Sequence, residues 1–142
     1  MKVFEIMVKN PVTVSPETSI RDAARTMLEK SIGSLIISKD EKPLGILTER
    51  DLVRRVLAVG RNPESTKVFD VCSKPVVAVS EFMEIDDAVD AMNEYKIRRL
   101  VIINNEDKVT GIITTDDIGY NLRRLSEALA IKYITLMRRN KT

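Results

Sequence analysis

The sequence predicts a mixed α/β (α+β) fold: two tandem β-α-β-β-α motifs packed sheet to sheet with pseudo-two-fold symmetry, plus a C-terminal helix. Three observations predict it. The chain repeats itself, Val3-Phe4-Glu5-Ile6-Met7 returning as Val68-Phe69-Asp70-Val71-Cys72. Each copy alternates short β-branched runs with stretches of helical periodicity. Between the copies, Gly60-Arg61-Asn62-Pro63 breaks the pattern. The resulting boundaries are 1–60 for the first motif, 61–67 for a linker, 68–120 for the second motif and 121–142 for a C-terminal helix with a basic tail. A unit of this size alone buries little surface, so the two motifs are expected to form one compact module.

The elements follow in order. Val12 to Val14 is a short apolar, β-branched run that suits a strand. Ser19 can cap the next segment, with Asp22 in the capping-box position. Behind it Ile20, Ala23, Ala24, Met27 and Leu28 recur at helical spacing and make one apolar face. Leu35 to Ser38 and Leu44 to Thr48 are apolar strands joined by the polar turn Lys39-Asp40-Glu41-Lys42-Pro43, which favours a hairpin. A helix starts near Glu49. The second copy repeats the order: strand Val77 to Val79, a helical face of Ile85, Ala88, Val89 and Met92, and strands Leu100 to Ile103 and Val109 to Thr114. The hairpin turn there is Asn104-Asn105-Glu106-Asp107, and a helix begins near Thr115. Beyond Asn121 neither Pro nor Gly occurs, and Leu122, Leu125, Leu129 and Leu136 form an apolar stripe. Ile131 and Ile134 lie off that stripe, which suggests a second covered face, most simply in a two-fold homodimer.

Composition narrows the function. The 142 residues are 44% hydrophobic and 31% charged, a balance that buries a core and stays soluble. No apolar run reaches the roughly 18 residues of a membrane span, and no secretory signal is evident, so a cytoplasmic protein is expected. Histidine is absent and Cys72 is the lone cysteine. That excludes Ser-His-Asp and Cys-His catalysis and any clustered-thiolate metal site. The five glycines are scattered, leaving no phosphate-binding loop. No catalytic residue and no metal site is assigned; Asp86-Asp87 and Asp116-Asp117 read as first-turn helix acids rather than magnesium ligands. Net charge is +2, too small to indicate nucleic acid, although six basic residues face only Glu127 from Asn121 onward.

At the end of the third strand in each copy stands a Thr, and three residues later an Asp: Thr48 with Asp51, and Thr114 with Asp117. One reading is a capping box. The other is a ligand site, in which the helix start and Thr hydroxyl receive phosphate while the carboxylate accepts from the two hydroxyls of a ribose. Arg98 and Arg99 precede the second copy's strand as candidate phosphate contacts, or as solvated edge charges. The first copy has Gly33-Ser34 there, so unequal occupancy is expected. Arg54-Arg55 reads as a solvated helix face.

The segments Gly45-Ile46-Leu47-Thr48-Glu49-Arg50-Asp51-Leu52 and Gly111-Ile112-Ile113-Thr114-Thr115-Asp116-Asp117-Ile118 resemble the closing signature of the cystathionine β-synthase (CBS) domain. The paired openings resemble that family's start, and the resemblance covers about residues 1 to 120. It implies a tandem pair, or Bateman module, that binds AMP, ADP, ATP or S-adenosylmethionine in the cleft between motifs and requires no cofactor. It further implies that Thr48, Asp51, Thr114 and Asp117 contact phosphate and ribose, with Arg98 and Arg99 reaching phosphate. The segments after Met7 and Cys72 would supply backbone and apolar surface for adenine. Homodimers are common in such pairs. The expectation is a non-catalytic sensor that regulates an unidentified partner protein or its own oligomeric state. The competing reading is a ligand-free scaffold that binds nucleic acid or a partner through its basic tail.

Overall fold

The computed structural model describes residues 1–124 and 126–139. In chain order, the strands are β1 (Val8–Lys9), β2 (Thr13–Val14), β3 (Ser34–Lys39), β4 (Lys42–Thr48), β5 (Ala78–Ser80), β6 (Arg99–Ile103) and β7 (Val109–Thr114). The α-helices are α1 (Ile20–Lys30), α2 (Glu49–Leu52), α3 (Val68–Val71), α4 (Ile85–Tyr95), α5 (Thr115–Tyr120) and α6 (Glu127–Arg139). Helix α2 continues as a π-helical turn over Val53–Leu57, and short 3-10 turns form at Val3–Glu5 and Leu122–Arg124. The β-α-β-β-α order expected of both copies is present.

Local chemistry explains these elements. Helix α1 starts where the Ser19 hydroxyl accepts the Asp22 amide at 3.1 Å; the reciprocal arm of the box is not formed. Its apolar residues at helical spacing put Ile20, Ala23 and Met27 inside. Both α1 and α4 end on a residue in the left-handed region, Ser31 and Lys96. Strands β2 and β3 run parallel, joined across α1, as β5 and β6 do across α4. The β3–β4 hairpin closes through Asp40 and Glu41, both at positive φ, the backbone pair that matches the twist of two antiparallel strands. The β6–β7 turn is held instead by the Asn104 side chain, which accepts from the Glu106 and Lys108 amides.

The chain forms two compact units, Met1–Asn10 with Val77–Thr142, and Pro11–Val76. They do not coincide with the two sequence copies. In the first unit the sheet order is β1-β7-β6-β5, so an outer strand and the Val3–Glu5 turn come from the opening of copy one. In the second unit the sheet is β2-β3-β4, and α3, the opening of copy two, packs on β4. The physical cause of this exchange is visible at two matched glycines. A Cβ on Gly111 would lie 2.5 Å from Met7 Sδ and 3.0 Å from the Val8 carbonyl oxygen. One on Gly45 would lie 2.8 Å from Cys72 Sγ and 3.0 Å from the Ser73 carbonyl oxygen. Each glycine admits the opening of the other copy against its strand. Lysines at equivalent places secure the openings: Lys2 pairs with Glu84 at 2.6 Å, and Lys67 with Glu17.

Each unit has its own core. Val3, Ile85, Met92, Leu100, Ile102, Ile113 and Ile118 are buried in the first, and α6 adds Leu129 and Leu136. Ile20, Met27, Leu35, Leu47, Val68 and Cys72 are buried in the second. Cys72, the lone cysteine, is buried among apolar side chains, and that burial pushes its thiol pKa up. The stripe on α6 is present at Leu129 and Leu136, while Leu125 lies outside the described residues. The C-terminal segment is not one helix from Asn121: Ser126 accepts the Leu129 amide at 3.3 Å and starts a new one. A basic chain end such as Arg138-Arg139-Asn140-Lys141-Thr142 reads by default as a solvated, frayed terminus. Arg139 departs from that, donating to the Met92 carbonyl at 3.1 Å; residues 140–142 lie outside the described residues.

Candidate functional site

In the second unit, β4 delivers Thr48 to the first position before α2. The turn is a closed reciprocal box. The Thr48 amide donates to Asp51 Oδ2 at 2.9 Å, the Asp51 amide donates to the Thr48 hydroxyl at 3.3 Å, and that hydroxyl donates to Oδ2 at 3.2 Å. In the first unit, β7 and α5 build the same box from Thr114 and Asp117, at 2.8, 3.3 and 3.0 Å. Capping is therefore real in both copies. It also leaves part of each carboxylate open, because both box bonds that reach the carboxylate end on one oxygen, Oδ2. The other, Oδ1, takes no part in the box and can accept from donors such as sugar hydroxyls, although on Asp51 it also faces Arg55.

The helix starts offer less to an anion than the pattern suggested. The Glu49 amide is taken by the Gly33 carbonyl at 3.1 Å and the Thr115 amide by the Arg98 carbonyl at 3.0 Å. The Asp51 and Asp117 amides are used by the threonines. Phosphate recognition here would fall to side chains: the Thr hydroxyls, once turned away from the carboxylate, and nearby arginines.

Arginines stand beside both turns, but from different places. In the first unit Arg99 is the direct cross-strand partner of Thr114, which puts the two side chains on one sheet face. Arg98 precedes it, exposed. The structure thus brings Arg98, Arg99, Thr114 and Asp117 to one end of β6 and β7. In the second unit the cross-strand partner of Thr48 is Ser34, and the positive charge comes instead from Arg55. Its Nε lies 3.8 Å from Asp51 Oδ1, and Nη1 donates at 3.1 Å to the carbonyls of Val71 and Cys72. Arg55 is accordingly not a merely solvated helix charge, the reading its sequence position suggested. It straps the π-helical turn to the opening of copy two and faces a carboxylate that is only 7% exposed. Its counterpart Asn121 donates to the Asp117 carbonyl at 2.8 Å.

Other expected contributors are used differently. Val8 and Lys9, after Met7, pair with Ile112 and Gly111, and Ser73 exchanges backbone hydrogen bonds with Ile46. Their backbones therefore complete sheets. Asp86 and Asp90 are ion-paired to Lys132 at 2.7 and 3.0 Å. One groove in the first unit, about 340 Å³, is lined by Phe4, Met7, Phe82 and Thr110; one in the second, about 400 Å³, by Met27, Leu28, Gly33 and Glu49. Neither is lined by a box residue.

A family model for the CBS domain matches this chain twice, at residues 3–58 and 68–122. The chain belongs to the CBS domain family. As a CBS pair it is 40% identical over 119 residues to a Methanopyrus kandleri protein, covering 83% of this chain and 61% of that one. It is 32% identical to the CBS domain-containing protein YhcV of Bacillus subtilis, covering 84% of each. It is also 35% identical to inosine-5'-monophosphate dehydrogenase of Methanocaldococcus jannaschii over 82% of this chain, but that match covers 23% of the enzyme. The chain spans about three fifths or less of several curated relatives it matches. Among solved structures, a CBS domain protein of Thermoplasma acidophilum superposes with a TM-score of 0.81 at 27% identity, covering 97% of this chain and 76% of that one. A Pyrobaculum aerophilum CBS domain protein complexed with AMP superposes with a TM-score of 0.79 at 18% identity, covering 95% and 99%; that likeness is one of fold. No helix among the described residues is long and apolar enough to cross a membrane.

Proposed function

We propose that this CBS pair is a regulatory module that binds an adenine nucleotide, or S-adenosylmethionine, without chemistry on it. The observation that carries the reading is the duplicated Thr–Asp box, in which Oδ1 of Asp51 and of Asp117 remains outside the three box bonds. The carboxylates accept from the ribose hydroxyls. The Thr48 and Thr114 hydroxyls, with Arg98 and Arg99 in one unit and Arg55 in the other, receive phosphate. The AMP complex of the Pyrobaculum aerophilum protein supports an adenosine ligand by analogy of fold.

Bound nucleotide can shift a conformation only by its difference in affinity for the two states, so the output is a change in a partner or in the oligomeric state, most simply a homodimer. Ligand binding inside such a site needs no catalytic group, and the sequence has no histidine to act as general base. The experiment is calorimetric titration of the intact chain with AMP, ADP, ATP and S-adenosylmethionine. Saturable binding of at least one, with no turnover, is expected. Silence from all four at millimolar concentration overturns the proposal.

A further inference from the structure

The phenylalanine of each opening is treated differently in the two units. In the second unit the Lys74 ammonium lies 3.7 Å from the centre of the Phe69 ring and donates to the Phe69 carbonyl at 2.6 Å. A cation of the same segment thus occupies the ring face. The counterparts in the first unit are Phe4 and Lys9. Lys9 belongs to β1, with Gly111 as its cross-strand partner, and the Asn10 amide extends the pairing by donating to the Thr110 carbonyl at 3.3 Å. Strand pairing carries this lysine onward along the sheet. What meets Phe4 is a second ring, Phe82, edge to face at 5.9 Å and 73°. The place of Phe82 in the second unit is taken by Glu17, which pairs with Lys67.

Both rings line the open groove of about 340 Å³ in the first unit, and Met7 completes its apolar lining. Phe4 is 39% exposed and Phe82 50%. Backbone bonds hold them there: the Phe4 amide donates to the Glu81 carbonyl and the Phe82 amide to the Ser80 hydroxyl, both at 3.1 Å. The groove lies at the end of β7 away from the Thr114 box, since its lining residue Thr110 is four positions earlier in the strand, about 13 Å along it. Its polar lining carries both signs, the Glu81 carboxylate and the Lys9 ammonium, with Asn10 beside them. Neither charge has an ion-pair partner among the described residues.

An edge-to-face pair uses the face of only one of its rings, so the other ring keeps its π faces outside the pair. That surface, beside Glu81, attracts an ammonium as Phe69 attracts Lys74. Each such ring contact at an exposed site is worth about two- to fivefold in affinity. Lys9 and the Asn10 amide attract a carboxylate. A ligand with one charge alone fits badly, because a bare cation meets Lys9 and a bare anion meets Glu81. From this pattern we infer that the groove binds a small ammonium–carboxylate zwitterion, an α-amino acid or a betaine. The inference does not depend on nucleotide binding.

The test titrates the isotope-labelled full chain, at fixed ionic strength, with L-leucine, glycine betaine, choline and tert-butylacetate. At least one of the two zwitterions is expected to shift the Phe4, Lys9, Phe82 and Thr110 amides saturably. Its Kd should be about 1–10 mM, and at least about fivefold below those of choline and tert-butylacetate. Leucine ahead of betaine supports the site through N–H donation to Glu81; betaine ahead of leucine supports it through the rings. Phe82→Ala should weaken the better zwitterion by about two- to fivefold. Lys9→Gln should erase its advantage over choline, and Glu81→Gln its advantage over tert-butylacetate. All three side chains are exposed, and amide spectra unchanged outside the groove would show each variant folded. The proposal is overturned if neither zwitterion gives saturable shifts at about 100 mM, ten times the weakest expected Kd. It is equally overturned if choline or tert-butylacetate binds as tightly as both zwitterions, or if the shifts are confined to residues outside the groove.

Discussion

Asp51 and Asp117 each serve two demands with two oxygens. Oδ2 closes the capping box, and Oδ1 is the candidate ribose acceptor. Alanine at either position removes both, at a cost of about 1 kcal/mol in stability from the lost cap. Asparagine keeps an acceptor for the box and loses the charge. Asp117→Asn is therefore expected to weaken nucleotide binding by about tenfold or more while the melting temperature falls by only a few degrees. Equal affinity in wild type and variant, measured at the same ionic strength, counts against a ribose role. The larger loss is expected for Asp117 over Asp51, because Arg98 and Arg99 share its unit; Arg55 narrows that difference. The Thr–Asp boxes were legible in the sequence, since capping is local. Arg55 was not, because its partners Val71 and Cys72 lie sixteen and seventeen residues away.

Among the elements, the strands from β2 to β7 lie within a residue or two of their expected limits, Val109 to Thr114 coinciding, because β-branched runs between polar turns report burial directly, whereas β1 was not expected as a strand. The π-helical turn over Val53–Leu57 and the restart at Ser126 escaped a reading based on apolar spacing alone. Isolated glycine inside a strand was the signal for the exchanged openings. Gly45→Ala is expected to destabilise by about 1–3 kcal/mol, since Cys72 Sγ and the Ser73 backbone cannot readily retreat. Gly111→Ala should cost somewhat less, as the flexible Met7 thioether can swing aside where the short Cys72 side chain cannot, the backbone carbonyl lying 3.0 Å away at both glycines. Chemical denaturation of the pair checks the order, and a costlier Gly111→Ala would contradict it. Helix α6 carries a pH signature. Hydrogen bonds first to Asp86 and then to Asp90 raise the Lys132 pKa. A raised lysine contributes its stability at neutral pH and loses it as strongly alkaline pH deprotonates the folded state. Lys132→Met should flatten that alkaline loss, and an unchanged pH profile would show the pairs to be inert.

For the whole molecule, chain connectivity and compactness disagree in an informative way. The family repeats are 3–58 and 68–122, whereas the compact units are Pro11–Val76 and a composite of Met1–Asn10 with Val77–Thr142. A sequence repeat shows that two segments are alike; it does not say which opening pairs with which sheet. A fragment spanning 11–76 keeps α3 and Cys72 against β4, whereas a fragment of 1–60 has lost them. Circular dichroism should show a cooperative melt for 11–76 and a weak or absent one for 1–60; the opposite ranking would mean that the exchange contributes little. Ligand binding should also be visible at this scale. A nucleotide at a hundred times its dissociation constant stabilises the folded state by about 2.7 kcal/mol, enough to raise the melting temperature by several degrees.

The most direct test of the sensor account is an AMP titration of isotope-labelled protein followed through the backbone amides of Thr48, Asp51, Thr114 and Asp117. The account predicts saturable shifts at one box or both, first in the box beside Arg98 and Arg99, and their loss in the Asp51→Ala, Asp117→Ala double variant. Shifts that saturate elsewhere while all four amides stay in place would contradict it.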